Sequence, residues 1–150
     1  MYRRIVRSKL IAVFKGLNAG SIESVTNEFA DDAEHYFVGT HALSSMRHTR
    51  ESIHRWYERL LRLLPDIRFD ISNIHVEGPP WRTLAVIEWK ESNSGTDGVR
   101  TSNEGINVVR IRWGRVTSVR IYTDTALLQE TLDRIAAMGI VEAHAPAITS

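Results

Sequence analysis

Three ionisable side chains in this sequence have the type and setting for acid–base chemistry: Asp124, His35 and Glu88. A carboxylate or an imidazole beside a dry pocket can move a proton, and an imidazole titrates near neutral pH. Asn107 and Tyr122 carry hydrogen-bonding side chains, both in a hairpin predicted over residues 101–124, and are candidates for orienting a substrate. The chemistry that these residue types allow is acid–base catalysis, in which one side chain moves a proton while others orient the substrate.

Each of the three ionisable residues also has a purely structural explanation. Asp124 precedes the last predicted helix, where a carboxylate can cap free backbone N–H groups. Glu88 lies in a segment that is apolar on both strand faces, so it would need a partner when buried, and Arg120 is the available cation. His35 lies on the first predicted strand, where a satisfied, semi-buried histidine is the alternative to a role in proton transfer.

The sequence predicts neither a metal site nor a bound cofactor. The six histidines have no partners at metal-ligand spacing, and there is no cysteine. The dinucleotide-binding, P-loop and nucleophile-elbow motifs are missing. The net charge is +1 and the arginines are dispersed along the chain, which predicts no nucleic-acid partner. No apolar run approaches a membrane span, so no membrane partner is expected, and the lack of cysteine favours a cytoplasmic location.

The stretch 101–124 organises the predicted fold as two long strands joined by a tight turn at Trp113-Gly114. If these two residues form the turn, residues equally distant from it face each other across the pair. One face then carries an aliphatic quartet: Ile106, Val108, Val119 and Ile121. The opposite face is half polar and includes Asn107, Arg120 and Tyr122.

The half-polar face of this hairpin predicts the floor of a pocket for a small apolar organic molecule, with an ordinary solvated face as the alternative. Phe37, Trp56 and Trp89 are expected to supply the apolar wall. The aliphatic quartet would then lie outside the sheet, where it predicts a homodimer interface. A single bulge in either strand would exchange the two faces for half of the hairpin.

The remaining elements predict one α+β domain over residues 1–150. Apolar periodicity predicts helices at about 4–17, 22–30, 49–64 and 125–138, and strands at 33–38, 67–76 and 84–89. A phase change at Ser72-Asn73 indicates a bulge that bends the sheet. Helices gathered before an antiparallel sheet favour a cone-shaped, cystatin-like fold in which the curved sheet wraps around the long amphipathic helix. Residues 39–48 are predicted as a loop, and about 142–150 as a loose tail.

The order of elements and three segments resemble the nuclear transport factor 2 superfamily, and most closely its SnoaL-like and ketosteroid-isomerase-like proteins. The segments are LNAGSIESVTNEFADDAEHYF at 17–37, RESIHRWYERL at 50–60 and WGRVTSVRIYTDTALL at 113–128. The resemblance covers nearly the whole chain and implies the same cone-shaped fold and a sheet-to-sheet homodimer. This fold hosts isomerases, cyclases, epoxide hydrolases, dehydratases and non-catalytic binders.

The steroid isomerases that this chain resembles use a tyrosine on the first helix, an aspartate base after the first strand and a protonated aspartate in the last hairpin. The tyrosine position falls here at Val13 or Phe14. The base position falls near Phe37, and the protonated aspartate falls at Asn107. Only Asn107 keeps a hydrogen-bond donor, so steroid isomerase chemistry is not expected.

Two other activities of the fold can be compared with the sequence. Limonene epoxide hydrolases use two carboxylates bridged by an arginine; Asp124 matches one of them, while residues 88–90 lack the Arg-x-Asp pair and His35 and Phe37 replace the water-binding Tyr and Asn. SnoaL-type cyclases need one acidic group and one or two donors in a dry pocket, which Asp124, His35 and Asn107 would provide. The resemblance thus implies a cofactor-free enzyme, isomerase-like, cyclase-like or epoxide-hydrolase-like, acting on a lipophilic substrate. A non-catalytic ligand-binding or accessory domain is the alternative.

Overall fold

The computed structural model describes residues 1–149; Ser150, the end of the predicted tail, lies outside the described part of the chain. The helices are α1 Tyr2–Asn18, α2 Ile22–Thr26, α3 Arg50–Leu63 and α4 Thr125–Ala137, followed by a 3-10 helix at Val141–His144. The strands are β1 Phe29–Phe37, β2 Ser45–Arg47, β3 Arg68–Glu77, β4 Thr83–Asn93, β5 Thr101–Arg112 and β6 Arg115–Thr123.

The strands form one curved, unclosed sheet in the order β2-β1-β6-β5-β4-β3. Neighbouring strands are antiparallel except β1 and β6, which run parallel. The helices cover the concave face, and the core lies between them and the sheet. The predicted α+β class and the cystatin-like cone are therefore confirmed, and the strand order places β4 inside the sheet as its apolar sequence indicates.

Helix α3 forms where the sequence predicts it because both its start and its apolar stripe are encoded locally. The Thr49 side chain accepts a hydrogen bond from the Ser52 backbone N–H, and the Ser52 hydroxyl accepts one from the Thr49 backbone N–H, which makes a capping box. The buried stripe of α3 consists of Ile53, Trp56, Tyr57, Leu60 and Leu63. This stripe places two large aromatic rings against the concave face of the sheet.

The predicted bulge in β3 is present. Ile71 pairs with Trp89, and Asn73 pairs with Glu88, so Ser72 is the extra residue. An extra residue in one strand bends it and increases the local twist, which helps the sheet curve around α3.

The hairpin of β5 and β6 contains a second bulge that the sequence analysis raised only as an alternative. The turn at Trp113 and Gly114 is as predicted, with φ values of 48° and 79°. Next to the turn Ile111 pairs with Val116, but Arg110 pairs with Ser118, so the intervening residue of β6 has no partner. Beyond this point every side chain of β6 faces the opposite side from the one predicted.

The predicted aliphatic quartet is therefore wrong as a common face. Val119 and Ile121 are each 5% exposed and belong to the core, whereas Ile106 and Val108 are half-buried on the convex side. The strand register separates these residues. Ile106 pairs with Tyr122, which points to the convex side, whereas Val119 pairs with Val109 of the core.

Three local predictions also need correction. β1 starts at Phe29, and β2 lies inside the predicted loop, where His35 pairs with Arg47. The predicted loose tail contains the 3-10 helix, and Glu142 forms ion pairs with Arg59 at 3.2 Å and Arg62 at 2.7 Å. These are long-range contacts, to which local sequence periodicity is not sensitive.

Candidate functional site

A partly enclosed apolar cavity of about 100 Å³ lies between the concave face of the sheet and the helices. Its walls are largely apolar, and aliphatic side chains alternate there with aromatic rings that include Phe14, Phe29, Phe37, Trp56, Phe69 and Trp89. A cavity on the order of 150 Å³ takes up a benzene-sized molecule, so this one is on the scale of a single ring. The structure places Phe37, Trp56 and Trp89, the predicted apolar wall, around this space.

Asn107 faces the cavity from β5 and is fixed by Trp89. The indole Nε1 of Trp89 donates a hydrogen bond to Asn107 Oδ1 at 2.9 Å. This bond uses the amide oxygen, and within residues 1–149 the Nδ2 hydrogens of Asn107 keep no protein acceptor. Gly105 makes the arrangement possible, because a Cβ there would lie 2.7 Å from the Trp89 ring.

Glu91 is a carboxyl group in the cavity wall that the sequence analysis missed. It is half-buried on β4 opposite Asn103, and both residues also line a smaller neighbouring cavity beside α4. Burial raises the pKa of the Glu91 carboxyl, and a hydrogen bond of 3.0 Å from Asn93 Nδ2 to its Oε2 partly offsets this. A signal was present, since the alternation that turns Trp89 inward also turns Glu91 inward.

Two further polar side chains contribute to the wall. Glu28 is ion-paired with Lys9 at 2.7 Å. The Tyr57 hydroxyl lies 3.3 Å from His35 Nε2, and burial strongly raises the pKa of this phenol, which therefore stays protonated at neutral pH. Glu91 is thus the wall carboxyl with no cationic partner among the described ion pairs.

His35 points inward but lies behind the cavity wall, not on it. It is fully buried, and its ring centroid is 4.5 Å from that of Trp56 and 5.3 Å from that of Tyr57. Burial, assisted by the neighbouring Arg47, holds the pKa of His35 well below its usual value, so the ring is neutral. Its Nδ1 and the Arg47 Nε and Nη1 atoms have no hydrogen-bond partner within the described chain.

Asp124 acts as the N-cap of α4. Its Oδ1 accepts hydrogen bonds from the backbone N–H groups of Ala126 at 3.0 Å and Leu127 at 3.2 Å. The side chain is exposed and does not line the cavity. Of the two roles that the sequence left open for Asp124, the structure displays the capping role.

Glu88, Arg120 and Tyr122 lie on the convex face of the sheet, and the predicted pairing of Glu88 with Arg120 is wrong. Glu88 is exposed and contacts His75 Nε2 at 3.4 Å. The Arg120 Nε donates to the Tyr122 hydroxyl at 2.9 Å, and its guanidinium lies 4.3 Å from the Tyr36 ring centroid. The one-residue shift in β6 carried Arg120 and Tyr122 away from the cavity. The structure therefore does not bring Asp124, His35 and Glu88 together.

The fold and this cavity define a pocket protein of the curved-sheet α+β type. A model of the SnoaL-like domain matches residues 10–119, and the chain belongs to that family. A search of the curated proteins finds no match to the sequence. Across residues 1–149 no helix has the length and apolar character needed to cross a membrane.

Solved structures confirm the predicted resemblance at the level of the fold. An NTF2-like protein of unknown function from Burkholderia pseudomallei aligns with a TM-score of 0.75 at 12% identity, covering 83% of this chain and 95% of that one. A putative SnoaL-like polyketide cyclase from Jannaschia sp. CCS1 gives 0.69 at 13% identity, covering 83% and 88%. TerC, co-crystallized with polyporic acid, gives 0.71 at 16% identity, covering 84% and 96%.

Proposed function

We propose that this chain binds a small, flat, lipophilic organic molecule in the cavity under α1 and α3. The observation that carries this proposal is an apolar wall, aliphatic and aromatic, around a space on the scale of one ring. Within residues 1–149 no lysine or arginine lines the cavity, so an anionic ligand would lose its hydration without gaining a counter-charge. This lining therefore favours a neutral ligand over an anionic one.

A single polar anchor orients this ligand. The Nδ2 hydrogens of Asn107 are held in place by the Trp89 bond and are free to donate to a carbonyl or hydroxyl oxygen. The similar structures support an organic ligand, since one is a putative polyketide cyclase and another was co-crystallized with polyporic acid.

Two neighbouring valines provide a matched test of the binding site. Val109 lines the cavity, and Val108 points to the convex face of the same strand. We expect Val109→Phe to fill the cavity and to weaken binding of anisole, followed by isothermal titration, by at least tenfold, while Val108→Phe leaves it unchanged. Leu128→Trp, which narrows the α4 side of the cavity, repeats the test if Val109→Phe unfolds. Equal affinity for anisole in all three variants would show that the ligand does not bind in this cavity.

A second function, proton transfer by Glu91, is favoured by the position of this carboxyl. We propose that Glu91 takes a proton from the carbon beside a ligand carbonyl, leaving an enolate, and returns a proton to the same carbon. A base with a raised pKa in a dry wall suits this exchange, because the pKa moves toward the working pH. The reaction needs no cofactor.

Deuterium exchange tests the catalytic proposal separately from binding. Acetophenone in D₂O, followed by NMR, is expected to exchange its methyl protons faster with the protein than with buffer, and Glu91→Gln is expected to remove about 100-fold of that rate. Glu28→Gln is the matched control, because Glu28 also lines the cavity but is paired with Lys9. If acetophenone binds but its methyl protons exchange no faster than in buffer, the catalytic proposal is wrong and the binding proposal stands.

We also propose a homodimer through the convex face of the sheet, in a revised form. The half-buried apolar side chains there are Ile106 and Val108 of β5, with Val86 and Tyr122 alongside. Sedimentation is expected to give a dimer that Val108→Glu dissociates and that Glu88→Gln, on the same face, leaves intact. A wild-type monomer at micromolar concentration would contradict this proposal. The cytoplasmic location remains a prediction from the sequence.

A further inference from the structure

Two exposed tryptophans lie together at one end of the sheet. Trp81 is in the turn between β3 and β4, and Trp113 is in the turn between β5 and β6. Because Thr83 pairs with Ile111, these turns are neighbours, and the two indole centroids are 5.8 Å apart. Trp81 is 56% exposed and Trp113 is 66% exposed, and neither lines a cavity described above. Large exposed aromatic side chains side by side are unusual unless they meet a partner.

The elements that meet at this tryptophan pair carry several arginines. The turns carry Arg82, Arg112 and Arg115, all exposed. Helix α1 runs alongside, since the Tyr2 hydroxyl lies 2.5 Å from Thr83 Oγ1 and Lys9 Nζ donates to Gly114 O at 2.7 Å, and its first turn adds exposed Arg3 and Arg4. We call Trp81, Trp113 and these five arginines the basic tip.

The basic tip concentrates charge in a chain that is almost neutral. The net charge is only +1. Of the carboxylates at this end of the sheet, Glu28 is ion-paired with Lys9 at 2.7 Å and Asp31 with Arg50 at 3.5 Å. Glu77 and Asp32 are exposed. In the sequence these arginines are spread over positions 3 to 115, which is why the sequence predicts no charged partner. The fold brings the elements that carry them to one end of the sheet, where their fields add.

We propose that the basic tip is a peripheral docking surface for an anionic lipid bilayer. Tryptophan side chains favour the water–hydrocarbon interface, and arginines at that depth bind lipid phosphates. A single-stranded nucleic acid fits less well, because such strands follow a groove and stack bases on separate rings. Here the two rings lie close together on projecting turns, with centroids 5.8 Å apart and planes tilted by 40°. This proposal is independent of the cavity and its ligand.

Vesicle sedimentation tests the proposal on the full chain. We expect binding to vesicles of phosphatidylcholine with 30% phosphatidylserine, loss at high salt, and little binding to phosphatidylcholine alone. Each arginine near the surface contributes about fivefold, so Arg82→Gln with Arg112→Gln is expected to weaken binding about 25-fold. Arg55→Gln with Lys90→Gln is the charge-matched control, since both residues are exposed and lie away from the tip.

Brominated lipids test the role of the rings. They are expected to quench Trp emission in the wild type but not in Trp81→Phe with Trp113→Phe, because Trp56 and Trp89 are buried. Equal weakening by the control pair would show that net charge and not the tip decides binding, which overturns the proposal. Binding of an oligothymidine without binding of anionic vesicles would also overturn it.

Discussion

Acidification is expected to destabilise this fold through His35. The imidazole is fully buried, and the groups that face it are the cationic Arg47 from β2 and the rings of Trp56 and Tyr57 from α3. No carboxylate in the described contacts compensates a second positive charge there. The folded protein therefore keeps His35 neutral at a pH where the unfolded chain protonates it, because burial and Arg47 lower its pKa.

The magnitude follows from the unfolded state. A histidine with an ordinary pKa near 6.5 is stabilised by protonation in the unfolded chain by about 2 kcal/mol at pH 5. The pKa of His35 is lower in the folded protein than in the unfolded chain. The contribution of His35 to the free energy of unfolding is therefore fully present above pH 6.5 and is lost as the pH falls below that value. Glu91 has the opposite sign, since its raised pKa favours protonation in the fold.

Urea unfolding of wild type and His35→Gln at pH 7.5 and pH 5 isolates the effect. The wild type is expected to lose about 2 kcal/mol more than the variant between these two pH values, with Glu91 cancelling in the comparison. His75→Gln, an exposed histidine on the convex face, is the control and is expected to follow the wild type. The same pH dependence in wild type and His35→Gln would mean that the folded protein protonates His35, which would refute the reasoning.

Two further predictions concern the packing of the last hairpin. Gly105→Ala is expected to cost about 1–3 kcal/mol of unfolding free energy, because its Cβ would clash with the Tyr122 carbonyl oxygen and lie 2.7 Å from the Trp89 ring; an unchanged urea midpoint would contradict this. Deletion of Thr117, the unpaired residue of β6, would turn Arg120 into the core and is expected to abolish cooperative thermal unfolding. Deletion of Val99, in the exposed loop before β5, is the control and is expected to preserve it.

Features encoded by neighbouring residues were predictable. The Thr49 cap and the apolar stripe define α3, and the capping role of Asp124 follows from its position before α4. The β3 bulge was also visible, because the apolar alternation changes phase at Ser72. Each of these features is determined by a few consecutive side chains and depends little on tertiary contacts.

The side chains of the site were harder to predict. Successive residues of a strand point to opposite faces, so which alternate set faces inward decides which side chains reach the cavity. The apolar run of β4 fits either parity, and only the burial of Trp89 shows that Glu91 faces inward and Glu88 outward. In β6 the apolar residues Val116 and Val119 are three positions apart, which is incompatible with simple alternation. That spacing was the available signal for the bulge.

The chemistry of this cavity thus depends on the residue at which β6 changes phase. With the bulge at Thr117, the strand contributes Val119 and Ile121 to the wall; without it, Arg120 and Tyr122 would lie there, and the cavity would be charged. The one extra residue therefore decides whether β6 presents polar or apolar side chains to the cavity. In proteins that share this sheet, a bulge changes which residues of a strand face the cavity. The bulges must therefore be located before catalytic residues of one protein are assigned to another by their positions along the strands.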